Sequence, residues 1–166
     1  RYFETVAKEK VRYPFGFGLS YTEFEIVPTD FQFEEDAVAV SAQVTNTGEY
    51  KGKEVVQVYA SLPQGKIGKP LKTLAGFAKT KTLAPGESEN VTVKVPLYAI
   101  ASYDETGASG FASSYVLEAG SYTFFVGNQV RDEKLAGGFE LTETKLIDTL
   151  TQALAPVYSF KRMKPR

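Results

Sequence analysis

The sequence predicts an all-β chain: an antiparallel β-sandwich of about seven strands, followed by one amphipathic helix near the C-terminal end. Three observations carry this. Between 21 and 139, apolar and polar residues alternate in short runs broken by Gly, Pro and Asn clusters, the period of half-buried strands. Helical spacing is missing from that region and appears only beyond Phe139. At 166 residues and 43% hydrophobic content, the chain can bury one sizeable core.

The first strand spans Phe24–Phe33. In the next, Ala37–Asn46, Val38, Val40, Ala42 and Val44 share one face, while Ser41, Gln43 and Thr45 share the other. Asn46, Thr47 and Gly48 then open a turn, because Asn and Gly tolerate left-handed backbone. Residues 54–62 are β-rich on both faces through Val55, Val56, Val58 and Tyr59, which predicts a central strand covered on both sides. A shorter strand at 74–82 leads into the turn at Ala84, Pro85, Gly86 and Glu87. Val91, Val93 and Val95 alternate again until Pro96 removes a backbone donor.

Residues 97–113 read as a loop insertion. Residues 115–118 and 121–127 flank Ala119 and Gly120 as a hairpin, with Tyr122, Phe124 and Val126 directed inward. Leu146, Ile147, Leu150 and Leu154 recur at helical spacing and Pro156 closes the run, hence the expected helix. The basic tail at 161–166 reads as a linker or cut end. At the other end, Tyr13 to Tyr21 places aromatics in a Gly-rich stretch that cannot be a regular strand and is expected to lie over a surface.

Composition removes several classes of chemistry. Nineteen basic and 20 acidic residues are interleaved and create no basic field for a phosphate backbone, so nucleic acid is not an expected partner. No apolar run approaches the roughly 20 residues of a membrane span. Absent Cys and His remove disulfides, thiolate metal sites, the commonest zinc ligand and the commonest general base, so neither a metal nor a cofactor is expected. Carboxylates remain. Asp104 and Glu105, in the 97–113 loop, are the best local pair, yet adjacent side chains diverge and are a poor match to catalysis. Asn90, Val91 and Thr92 form a glycosylation triplet that lies mid-strand and carries no weight.

The string YPFGFGLSYT at 13–22 resembles the stretch that leads into the fibronectin type III-like domain of family 3 glycoside hydrolases of the β-glucosidase type. VTNTGEYKGKEVVQVY at 44–59, KPLKTLAGFAKTKTLAPGE at 69–87 and VLEAGSYTFFVG at 116–127 follow in the family's order, so the resemblance covers roughly 1–127. It implies a fibronectin type III or immunoglobulin-like sandwich at 21–141, a strap at 1–20 from a preceding α/β sandwich domain, and a helix and connector at 142–166. It also implies that a (β/α)8 barrel and the α/β sandwich, the expected partners, supply the nucleophilic Asp and acid/base Glu, leaving this chain without a catalytic residue. Tyr13, Phe15, Phe17, Leu19 and Tyr21 then become candidates for a domain interface. Arg1 and Tyr2 resemble the end of an α/β-sandwich motif, which would place them near the cleft. LIDTLTQALAPVYSFKR at 146–162 resembles the connector of permuted members, in which the barrel follows this domain.

Two other readings compete. A carbohydrate-binding module would use exposed aromatic faces, but no Trp is present, and Tyr59, Tyr122 and Phe124 fall at core positions. An adhesion-type immunoglobulin-like domain would cover Phe15, Phe17 and Tyr21 by itself, whereas an accessory domain would leave them as an exposed apolar patch.

Overall fold

A computed structural model describes residues 7–154 together with 157 and 158; Arg1, Tyr2, Pro156 and the basic tail lie outside the described residues. Ten strands form, at Phe24–Phe33 (β1), Ala37–Asn46 (β2), Val55–Ser61 (β3), Thr73–Lys79 (β4), Ser88–Pro96 (β5), Ser102–Asp104 (β6), Ser114–Leu117 (β7), Gly120–Gly127 (β8), Glu133–Leu141 (β9) and Lys145–Thr149 (β10). Two antiparallel sheets of order β1-β2-β5 and β4-β3-β8-β9 face each other, and a small third sheet has order β10-β7-β6. The sandwich expected from the alternation is therefore present.

The inward residues meet as expected. Val38, Val40, Ala42 and Val44 of β2 and Val91, Val93 and Val95 of β5 interdigitate with Val56, Val58 and Ala60 of β3 and Tyr122, Phe124 and Val126 of β8. All are buried. Strand β3 is central, hydrogen-bonded to β4 on one side and β8 on the other. The layers approach closely at Gly76, where a Cβ would stand 2.9 Å from a Val93 methyl. Along the β1–β9 side an aromatic ladder closes the core, Phe33 on Phe139 at 4.0 Å and Tyr122 on Phe139 at 4.7 Å between centroids.

Two buried polar groups fix the ends of the sandwich. The Asn46 carboxamide donates to the carbonyls of Tyr50 (2.7 Å) and Leu83 (2.9 Å). Its oxygen accepts the Thr22 hydroxyl (2.7 Å) and the Gly48 N–H (3.1 Å). Every hydrogen-bonding site of that side chain is thus used, as burial requires. At the start of β8, the Tyr122 hydroxyl donates to the Glu118 carbonyl at 2.8 Å, the tyrosine corner of sandwich folds. The Glu118 carboxylate accepts the N–H groups of Lys66 (2.7 Å) and Ile67 (3.2 Å) and pairs with Lys69, so one residue ties the corner to the β3–β4 loop.

Three expectations fail. The helix expected from Leu146, Ile147, Leu150 and Leu154 is absent: 145–149 form β10, paired antiparallel with β7. Thr142, Thr144, Ile147, Thr149 and Thr151 make this segment β-branched, and the free edge of β7 offers it backbone partners that outweigh an apolar spacing. The hairpin expected at Ala119 and Gly120 is instead a change of sheet, since β7 pairs with β6 and β10 while β8 pairs with β3 and β9. Gly120, at φ +131°, takes the sharp turn between them. Finally, 97–113 is more than a loop, because it holds a 3-10 turn at Leu97–Ile100 and strand β6. The seventh strand of the two main sheets is β9, which the sequence reading left unassigned.

Replacing Tyr122 with Phe keeps the ring in the core and removes only the corner hydrogen bond. We expect a loss of about 1–2 kcal/mol in urea unfolding, with unchanged strand content by circular dichroism; no loss would show that the corner bond does not stabilise the fold.

Candidate domain-docking surface

The N-terminal strap lies over the outer face of the four-stranded sheet. Gly16 reaches φ +85° in a tight turn closed by the Phe17 N–H on the Pro14 carbonyl at 3.1 Å. The Gln57 carboxamide, on the outward side of β3, donates to the carbonyls of Gly16 (3.4 Å) and Asn128 (2.5 Å). Its oxygen accepts the Tyr59 hydroxyl at 2.5 Å. The Phe15 carbonyl accepts the Val130 N–H at 3.0 Å. Only glycine fits at 16, because a Cβ there would lie 2.4 Å from the Gln57 oxygen. Burial beneath the strap pushes the Tyr59 hydroxyl up to about 12, so it stays a neutral donor.

Because the strap's backbone makes these contacts, its side chains turn away from the sheet. Tyr13 and Phe17 stack on each other at 5.0 Å, and the Arg12 guanidinium lies 5.6 Å from the Tyr13 ring centre. Tyr13, Phe15 and Phe17 are exposed, and Leu19 and Tyr21 are 93% and 97% exposed. These are the five residues that the sequence singles out as interface candidates. All five are exposed, so Phe15, Phe17 and Tyr21 are not covered by the chain itself.

Sequence reasoning missed the sheet face beneath. Cross-strand register puts Phe77 of β4 opposite Gln57, and Phe125 of β8 opposite both Tyr59 and Leu135 of β9. Phe77 and Leu135 are 68% and 63% exposed. Phe77 adjoins β3, the strand on which the strap rests, and Leu135 stands two strands away across Phe125, whose ring Lys72 overlies while pairing with Glu133. The signal was available in 54–62 and 74–78, which stay largely apolar on both faces where a solvent-facing sheet alternates. The opposite sheet does alternate. Its outer face carries the Ser41–Thr92 and Thr45–Ser88 hydroxyl pairs, each 2.8 Å, and the Lys94–Glu34 ion pair at 2.9 Å.

The Asp104 carboxylate, set aside in the sequence as a poor match to catalysis, has a structural task. Asp104 is buried, and its oxygens accept the N–H groups of Thr106 (3.1 Å), Gly107 (2.8 Å), Ala108 (3.0 Å) and Ser109 (2.6 Å) and the Ser109 hydroxyl (2.6 Å). Burial acts to raise its pKa, but the hydrogen bonds outweigh it and hold the carboxyl down at about 2. A carboxylate so engaged organises the loop after β6 and has no free lone pair for a substrate. Among the described residues no group of three Asp or Glu side chains gathers to hold a metal ion, and no helix is long and apolar enough to cross a membrane.

Residues 54–130 match the fibronectin type III-like domain family. A β-glucosidase of Ruminococcus albus is 52% identical across 98% of the chain, and β-glucosidase A of Butyrivibrio fibrisolvens is 44% identical across 98%. The chain spans only 17% and 22% of the length of those relatives. Among solved structures, a β-glucosidase from Paenibacillus barengoltzii superposes with a TM-score of 0.91 at 43% identity, over 99% of this chain and 19% of that one. β-Glucosidase 3B from Thermotoga neapolitana, in complex with glucose, gives 0.76 at 39% identity, over 89% of this chain and 19% of that one.

A carboxyl whose pKa falls on folding stabilises fully above its ordinary value, here 3.8, and ceases to as pH drops through about 2. We therefore expect Asp104→Asn to cost about 1–3 kcal/mol at pH 6, and the difference from wild type to shrink steadily as urea unfolding is repeated between pH 4 and pH 2. A difference that stays constant over that range would contradict the assignment.

Proposed function

Because this chain is a fibronectin type III-like domain of the kind carried by family 3 β-glucosidases, we propose that it is a non-catalytic structural module of such an enzyme, bracing the domains that hydrolyse terminal β-D-glucosides. The observation that carries this reading is the asymmetry of the sandwich. One outer face is polar and internally hydrogen-bonded, and the other carries exposed Phe77 and Leu135 beside an exposed aromatic strap. Exposed apolar side chains gathered on one face mark an interaction site.

In this reading the two carboxylates of a retaining glycosidase, about 5 Å apart across the scissile bond, belong to a (β/α)8 barrel and an α/β sandwich elsewhere in the polypeptide. Residues 1–20 link back to the α/β sandwich, with Arg1 and Tyr2 near the cleft. The sandwich spans 21–141. Residues 142–166 lead towards a following domain, the barrel in the permuted order, with β10 fastening the exit to the small sheet. Tyr13, Phe15, Phe17, Leu19 and Tyr21 dock together with Phe77 and Leu135, and no cofactor takes part.

The Ruminococcus albus β-glucosidase provides a host for the test, through replacement of its corresponding segment by this chain. The wild-type graft is expected to hydrolyse an aryl β-glucoside, the chain alone to be inert, and a graft bearing Phe15→Asp, Phe17→Asp and Phe77→Asp to lose most activity and thermal stability. Full activity in the triple variant would remove the docking role, and hydrolysis by the chain alone would remove the non-catalytic one.

A further inference from the structure

A second aromatic cluster lies away from the strap, on the small sheet. Tyr103 of β6 and Tyr115 of β7 are register partners, and Asp148 of β10 is the register partner of Tyr115 on its other side. Tyr98, from the 3-10 turn after β5, adds a third ring. The Tyr98 and Tyr115 centroids are 4.5 Å apart, and those of Tyr103 and Tyr115 are 5.4 Å apart. Tyr98, Tyr103 and Asp148 are exposed and Tyr115 is half-buried. The neighbouring Tyr115 and burial push the Tyr98 hydroxyl pKa up, with a smaller contribution from the Asp148 charge.

This face differs chemically from the docking surface. The strap and the sheet beneath it mix Phe and Leu with Tyr13 and Tyr21; here every ring carries a hydroxyl and a carboxylate stands beside them. Rings of this kind offer an apolar face and a polar rim together, which matches a pyranose, with C–H groups on its faces and hydroxyls around its edge. The rings are tilted by 43° and 53° to one another, a stepped surface and not a flat one. It suits a single soluble sugar chain better than the plane of a crystalline polysaccharide. The face is also held rigid, since Asp104, next to Tyr103, binds the four N–H groups that follow it, and β10 fixes the far edge.

We propose that Tyr98, Tyr103, Tyr115 and Asp148 form a carbohydrate-binding site, with the rings stacking on pyranose faces and Asp148 accepting hydroxyl hydrogen bonds; that its ligand is a β-linked gluco-oligosaccharide rests on the β-glucosidase reading above. This site is separate from the docking surface and stands whether or not that surface docks.

The test titrates cellotriose into the 166-residue chain and follows the tyrosine ring resonances by NMR. An open site of this size predicts saturable binding with Kd on the order of 1 mM. Tyr98→Ala and Tyr115→Ala should each weaken it about fivefold or more, and Asp148→Asn about twofold, while Phe15→Ser leaves it unchanged. Spectral dispersion checks folding, and Tyr98→Leu, which keeps apolar bulk, serves if the alanine variant unfolds. Absence of any shift up to about 20 mM, or binding that survives both tyrosine variants, overturns the proposal. So does a result in which cellotriose shifts nothing and Tyr98→Ala instead abolishes activity in the grafted enzyme, which would make the face a protein interface.

Discussion

The carboxamide of Gln57 is the constraint on which the functional geometry depends. It stands on the outward face of the central strand and holds the Gly16 carbonyl on one side and the Tyr59 hydroxyl on the other. A carboxamide can donate and accept at once, so it satisfies a backbone segment that belongs to no sheet and a tyrosine that burial keeps neutral. With the strap's backbone turned inward, its rings can only turn outward. Apolar residues at 15 and 17, glycine at 16 and glutamine at 57 are therefore parts of one arrangement.

Energetics favour a covered strap. Fixing the backbone of residues 13–21 costs on the order of 10 kcal/mol. The hydrogen bonds at Phe15, Gly16 and Thr22 return roughly 3 kcal/mol in all. Full burial of Tyr13, Phe15, Phe17, Leu19 and Tyr21 contributes about 1.5–3 kcal/mol for each side chain, which is enough to make up the difference. The side chains left exposed are thus those whose burial the strap needs, which a neighbouring domain would supply under the proposed function. The rest of the sandwich is self-sufficient, its core filled from both sheets and its buried polar groups at Asn46 and Tyr122 fully paired.

The fold was legible wherever side chains alternate. Val38 to Val44 and Tyr122 to Val126 point inward as period-2 spacing requires, because one face of each strand is dry and the other is not. Sequence reasoning failed where tertiary context decides. Leu146, Ile147 and Leu150 fit a helical period, yet an open strand edge recruited Leu146 and Ile147 into β10, with Leu150 just beyond its end. Strand β9 went unnoticed because Gly137 and Gly138 interrupt its pattern, although Gly137 is what admits Phe31, whose ring carbon would lie 2.4 Å from an added Cβ. Half of the candidate surface was visible as an odd aromatic string. The other half, Phe77 and Leu135, needed cross-strand register to be seen. Asp104 is the best-placed loop carboxylate in the sequence yet a poor match to catalysis there, and its partners show it organising backbone.

The central claim is that the strap and the four-stranded sheet's outer face are buried between domains, while the opposite face remains in water. Hydroxyl-radical footprinting measures this directly, comparing the isolated chain with the same chain grafted into the Ruminococcus albus β-glucosidase. The account predicts strong protection of Tyr13, Phe15, Phe17, Tyr21, Phe77 and Leu135 in the graft, with exposed residues of the β1-β2-β5 sheet labelled equally in both. Equal labelling of the strap residues in the two states would contradict it.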